Sequence, residues 1–359
     1  MARLDTYFRA MHQQGASDLH LVAGNLPAMR LHGELKKLKA EELTDNGLRE
    51  LLRELPPAEA WQRFEETGDL DFGYEVEGLA RFRANYFMQK NGAAAVFRLI
   101  PADILNCEQL GLPEVVRNLA KLHKGLVLVT GPTGSGKSTT LAAIIDEANR
   151  VRRDNIITVE DPIEFVHQSQ GCLVSHREVG KHTRSFASAL RAALREDPDI
   201  ILVGEMRDKE TVGLAIEAAA TGHLVFGTLH TQNAPKTVDR IIEVFTAEEQ
   251  PQIRSTLADS LKAVVAQNLF KRVDKSGRVA ALEIMVVTPA ISNLIREAKT
   301  YQIPSAMQTG KKHGMQSLET AIIQLLEAKI IDPKEAYEKS VNKEQIVRFL
   351  PEPPPEVGR

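Results

Sequence analysis

The chain has 359 residues, 43% of them hydrophobic and 26% charged, with a formal net charge of −3. That length predicts about two domains, and the slightly acidic balance argues against a general nucleic-acid binder, which carries a basic face. Aromatic residues are only 5%, too few for a base-stacking platform, and the two cysteines, Cys107 and Cys172, cannot build a disulfide framework or a four-cysteine zinc site.

Met1 to Gly15 carries charges and no apolar h-region, and no apolar stretch approaches a bilayer-spanning length. The expectation is a cytoplasmic protein with buried or incidental thiols, touching a membrane only through a partner. Residues 3–14 read as a short helix, and Ser17 to Val22 alternates as a strand does. Residues 28–38 read as a strand or hairpin around Gly33. Leu43 to Phe64 has helical spacing broken by Pro56-Pro57. Asp69–Tyr74, Ala80–Met88 and Ala93–Ile100 predict an antiparallel meander, punctuated by Gly78 and Asn91-Gly92. Residues 1–100 thus read as a small α+β domain, and 101–113 as a hinge linker.

From 114 onward, apolar strands at 126–130, 156–160, 200–204, 224–229 and about 278–286 alternate with helices. This predicts an α/β domain over 114–348, its mostly parallel sheet covered on both faces. Residues 290–348 read as helical, and 349–359 as a disordered proline-rich tail.

Between the run Leu126–Val129 and the helical run Leu141–Ile145 stands Gly131-Pro132-Thr133-Gly134-Ser135-Gly136-Lys137-Ser138, followed by Thr139. Strand, GxxxxGK[ST] loop and helix occur in the order a phosphate-binding loop needs. The glycines let several N–H groups face one anion, and the helix N-terminus adds partial positive charge. Lys137 can reach the β- and γ-phosphates of ATP, and the Ser138 hydroxyl can ligate Mg²⁺.

Hydrolysis also needs groups at neighbouring strand tips. One strand ends in Glu160-Asp161-Pro162-Ile163-Glu164, which suits metal or water positioning beside the phosphate loop. Another ends in Gly204-Glu205-Met206-Arg207-Asp208. Gly204 stands where many phosphate-loop enzymes have aspartate, and Glu205 is the first candidate to polarise water and assist the metal. Arg207 and Asp208 are equally compatible with an ion pair capping the next helix. His223 and His230 flank a third strand, and His230, at the carboxyl end, is the better placed to touch a γ-phosphate. Arg81 and Arg83 share one strand face; such pairs are usually solvated, unless a neighbouring subunit's nucleotide faces them.

GPTGSGKSTT (131–140), ITVEDPIEF (157–165), ALREDPDIILVGEMRD (193–208) and TGHLVFGTLHT (221–231) together resemble the secretion-type hexameric ATPases, where they are the Walker A, Asp box, Walker B and His box. SDLHL (17–21), ARFRANYF (80–87), AISNLIRE (290–297) and GMQSLE (314–319) narrow the resemblance to the branch that retracts type IV pili in twitching motility. The resemblance implies a PAS-like N-terminal domain, a RecA-like core and a homohexamer with ATP between subunits. It makes Glu205 the catalytic glutamate, puts Glu160 and Glu164 in the Asp box and His223 and His230 in the His box. It makes Arg81 and Arg83 cations supplied from the N-terminal domain. It also implies an inner-membrane pilus platform protein as partner, a place at the cytoplasmic face of that membrane, and an accessory retraction paralogue as the alternative role. Assembly ATPases with a long N-terminal region and tetracysteine module fit less well. One residue departs from the pattern: Ser292 replaces the arginine of AIRNLIRE.

Overall fold

The computed structural model describes residues 2–31, 33–100, 103–340 and 342–352. They divide into two compact units, Met1–Ile104 with Pro162–Val166, and Leu105–Asp161 with His167–Arg359.

The first unit holds β1 (Asp18–Val22), β2 (Ala28–Leu31), β3 (Glu34–Lys37), β4 (Asp69–Val76), β5 (Ala80–Gln89) and β6 (Gly92–Ile100). They form one sheet in the order β3-β2-β1-β6-β5-β4, with every neighbouring pair antiparallel. Strict alternation on β5 sends Ala80, Phe82, Ala84 and Tyr86 inward and turns Arg81 and Arg83 to the other face. The helices Asp5–Gln14, Asp45–Leu52 and Ala58–Thr67 cover the apolar side. Phe8 stacks on Phe82 at 4.3 Å between ring centroids, and the buried Tyr86 hydroxyl donates to the Leu52 carbonyl at 3.1 Å. Many of the chain's few aromatics are spent on this core, where each fully buried ring stabilises by about 1.5–3 kcal/mol.

The second unit is built on β7 (Gly125–Thr130), β8 (Asn155–Glu160), β9 (Leu173–Glu178), β10 (Ile200–Val203), β11 (Leu224–Leu229), β12 (Leu261–Lys271) and β13 (Arg278–Val286). Their order is β13-β12-β7-β11-β10-β8-β9. All pairs are parallel except the β12–β13 hairpin. β7, β10 and β11 are buried along their whole length, because separate hydrophobic cores pack on the two faces. A smaller core around Phe270, Ile322 and Leu326 seats the C-terminal helices.

Two strands were not foreseen. β9 is a polar edge strand, Leu-Val-Ser-His-Arg-Glu, with no apolar alternation to read. β12 starts at Leu261 directly after the helix Gln250–Ser260, with no glycine or proline marking the switch. The expected hinge also differs. Leu105–Pro113 belongs to the second unit, where Cys107 and Leu112 enter its core and the Cys107 thiol donates to the Ala143 carbonyl at 3.3 Å. Burial pushes that thiol up to about 11, so it stays protonated. Residues 101 and 102 of the hinge and 353–359 of the tail lie outside the described residues. Residues 290–348 are helical in short pieces, including Pro289–Arg296, Ile303–Thr309 and Leu318–Glu327.

Candidate nucleotide site

The phosphate loop leaves the carboxyl end of β7 and runs into the helix Lys137–Val151. Gly131 and Gly136 adopt φ of 140° and 89°, a backbone region open to glycine. The first turn of the helix carries no acidic residue, so its N-terminal partial charge is not neutralised from within. The Lys137 ammonium donates to the loop carbonyls of Gly131 (2.9 Å) and Pro132 (3.2 Å). Phosphate oxygens, being anionic, bind such an ammonium more strongly than neutral carbonyls do. Pro132, Thr133, Gly134, Ser135, Ser138 and Thr139 complete the loop and the first helical turn.

Strand order ranks the acidic candidates. β11 lies next to β7, then β10, then β8. At ~4.8 Å per strand, the tip carrying Glu205 is roughly 10 Å from the loop strand and the tip carrying Glu160 roughly 14 Å. The acidic loop is therefore not beside the phosphate loop, as expected from sequence; two strands intervene. Glu164 falls in Pro162–Val166, which groups with the first unit rather than with β8.

Glu205 and His230 come together. His230 Nε2 lies 2.8 Å from Glu205 Oε1, and a carboxylate only accepts, so Nε2 donates. The Arg207 guanidinium also binds Glu205 Oε1. Burial alone would raise the Glu205 carboxyl, but Arg207 and His230 outweigh it and hold the group below the usual carboxylate range. Asp208 caps the next helix through the Thr211 N–H at 2.8 Å, while Arg207 binds Glu205. Gly204 has a steric reason: a Cβ there would stand 3.2 Å from Glu160 Cα and the Val159 carbonyl. A side chain at 204 would press on the backbone of the adjacent parallel strand β8, which favours glycine there.

His223 does not join them. It sits at the amino end of β11, with Nδ1 3.0 Å from the Ala218 carbonyl at the end of the preceding helix. A strand of six residues separates it from His230 by about 20 Å. Within one protomer it is a helix-end residue, not a partner of Glu205.

Two histidines outside the expected set, His167 and His176, stack on each other beside β8. His176 Nε2 lies 3.0 Å from the His167 backbone nitrogen and 3.2 Å from the His167 carbonyl oxygen, and His176 Nδ1 lies 2.8 Å from Thr158 Oγ1. His176 Nδ1 is also 3.9 Å from Glu160 Oε1. Burial, assisted by His176, lowers the His167 imidazole to about 4 and keeps it neutral. The spacing between these histidines carried no signal, because β9 itself was not legible.

In the first unit, Arg83 forms a bidentate pair with Asp71 (Nη2 at 2.6 Å, Nε at 3.2 Å). Arg81 Nη1 is 3.8 Å from Glu75, and its guanidinium lies over Gly73, where a Cβ would approach it to 2.7 Å. The two cations are thus held in fixed orientations on one sheet face. Ser292 donates to the Ala258 carbonyl, and Arg296 pairs with Asp259 at 2.7 Å, tying Pro289–Arg296 to the preceding helix Gln250–Ser260.

Among the described residues there is no cluster of three or more His, Cys, Asp or Glu fit to hold a metal, and no helix is long and apolar enough to cross a membrane. The hard oxygen donors here are the Ser138 hydroxyl at the end of the loop and, two strands over on the β10 tip, the Glu205 carboxylate. That set suits a magnesium ion held mostly by phosphate and water.

Residues 4–345 match the family described as type II/IV secretion system protein. The type IV pilus retraction ATPase PilT of Pseudomonas aeruginosa is 52% identical over 328 residues, covering 91% of this chain and 95% of that protein. The type IV pilus ATPase PilU of the same organism is 39% identical over 317 residues, 88% and 83% of the two chains. The crystal structure of the pilus retraction motor PilT with bound ADP superposes with a TM-score of 0.88 at 44% identity, covering 97% of this chain and 99% of that one. A phosphate loop on β7, an acidic tip on β10 and a match along nearly the whole sequence agree: the chain belongs to the type II/IV secretion system protein family and has its RecA-like ATPase core.

Proposed function

We propose that this chain is a Mg²⁺-dependent motor ATPase that works as a homohexamer to retract type IV pili and so drive twitching motility. The observation that carries the reading is the similarity to PilT over nine-tenths of both chains, 52% against 39% for PilU. That difference favours the principal retraction role over the accessory one. The partner would be the pilus platform protein at the cytoplasmic face of the inner membrane.

In this reading Lys137 binds the β- and γ-phosphates and Ser138 ligates the metal. Glu205, oriented by His230 and Arg207, aligns the attacking water, and Glu160 and Glu164 act from the Asp box. Arg81 and Arg83 reach the nucleotide of a neighbouring subunit and neutralise charge on the transferring phosphoryl group. Cations supplied in this way accelerate phosphoryl transfer by about 10³–10⁵. Because nucleotide contacts from two rigid bodies are made and broken at each turnover, binding energy becomes relative movement.

Deleting the gene in its host is expected to leave surface pili in excess and abolish twitching, with restoration by the wild-type gene. Loss of pili instead would indicate an assembly motor and overturn the retraction reading. The trans role is checked by mixing. Subunits carrying Arg81→Ala with Arg83→Ala, and subunits carrying Lys137→Ala, are each expected to be inactive alone. Mixed equally, about one interface in four pairs an intact loop with intact arginines, and ATPase activity returns. Continued inactivity at every ratio would count against arginines acting across the interface.

A further inference from the structure

We propose that Gln267 is a positioning residue for nucleotide binding, fixing the Ser135–Gly136 peptide of the phosphate loop from the neighbouring strand. The proposal rests on the assignment of residues 131–138 as that loop. Ala266 on β12 pairs in parallel register with Thr130, the last residue of β7, so Gln267 stands beside the start of the loop. It is buried, 2% exposed, and its Nε2 donates to the Ser135 carbonyl at 2.6 Å. The loop is laid directly on this residue. A Cβ on Gly131 would come within 2.3 Å of the Gln267 backbone oxygen, and one on Gly136 within 3.1 Å of its Nε2. Two glycines of the loop are therefore needed for contact with β12 as well as for turning.

An apolar side chain would be the stable choice here. Ala263, Val264, Val265 and Ala266 precede it and are all fully buried. Gln267 Oε1, Ser135 Oγ and Thr130 Oγ1 are instead buried without a hydrogen-bond partner among the described residues, and each such group carries a desolvation penalty. The carboxamide is retained despite that penalty, and the bond it makes is to the loop. In a trans peptide the carbonyl and the following N–H point in opposite directions. Holding the Ser135 carbonyl against β12 thus turns the Gly136 N–H away from β12, toward the mouth of the loop. An N–H fixed before ligand arrives costs no ordering when the phosphate binds.

The test uses Gln267→Met, Gln267→Glu and Lys137→Ala in the full chain, with a fluorescent ADP analogue and steady-state ATPase assays. Gln267→Met keeps the volume and loses the donor. Its Kd and KM are expected to rise roughly five- to twentyfold, with kcat close to wild type, as for a contact made equally in ground and transition states. Gln267→Glu presents an acceptor to an acceptor when ionised. Its affinity is expected to be poor at pH 8 and to recover as the carboxyl protonates and regains an O–H donor, a step absent from the wild type. Wild-type Kd and KM in Gln267→Met, even with a lowered melting temperature, would overturn the proposal, as would pH-independent binding by Gln267→Glu. Should Gln267→Met fail to fold, the pH step in Gln267→Glu decides. Normal binding by Lys137→Ala would instead overturn the loop assignment itself, so the two failures are told apart.

Discussion

Lys137→Ala is expected to remove nearly all measurable nucleotide binding while leaving the fold intact. The ammonium is the one cation of the loop's eight-residue pattern, and it already lies over the loop, bonded to the carbonyls of Gly131 and Pro132. Charge-assisted hydrogen bonds to phosphate contribute about 1.5–3 kcal/mol each. Losing contacts to two phosphates therefore weakens binding by about 10²–10⁴-fold. The structural cost is expected to be small, because Lys137 sits on a half-exposed loop and not in a hydrophobic core. Titration with a fluorescent ADP analogue measures the loss, and a thermal melt of the ligand-free protein controls for folding. Unchanged affinity would refute the placement of the phosphates at this loop. A collapsed melting temperature would move Lys137 from a binding role to a structural one.

The parts of this site legible in the sequence are local ones. A buried strand, a glycine loop and a helix follow one another within residues 126–145, so their geometry is fixed by contiguous chain. Strand polarity was legible too, which is why His230 rather than His223 was the better candidate: parallel strands share one carboxyl edge. What could not be read is what depends on register and order between distant segments. Nothing near residue 160 says that two strands separate it from residue 131. Gln267 lies 132 residues from its partner Ser135. A glutamine after Ala-Val-Val-Ala is a signal of a buried polar group, but only once β12 is recognised as a strand. The Gly204 departure from the common aspartate became intelligible only with Glu160 Cα beside it. The helix cap at Asp208 was legible as one of two alternatives, and the partner of Arg207 was not, since a side chain two residues away on an irregular turn can face either way.

Glu205→Gln is expected to bind nucleotide as the wild type does and to turn over about 10²–10⁴-fold more slowly, the range associated with loss of a positioned general base. The substitution is nearly isosteric, and the glutamine oxygen can still accept from His230 Nε2, so the local geometry is kept while the charge is removed. Arg207 and His230 together hold the native carboxyl below its ordinary range against the effect of burial. Glu205 is therefore ionised throughout neutral pH, and the rate is expected to fall on the acid side only as pH drops through its lowered value. The opposite sign, a rate that rises with acid, would contradict a carboxylate that works ionised. Rapid-quench single-turnover measurements separate the chemical step from nucleotide release. If Glu205→Gln turned over at the wild-type rate, water alignment would pass to Glu160 or Glu164. Glu160→Gln is then the first variant to make, because Glu160 ends β8, the parallel neighbour of the strand that leads to Glu205.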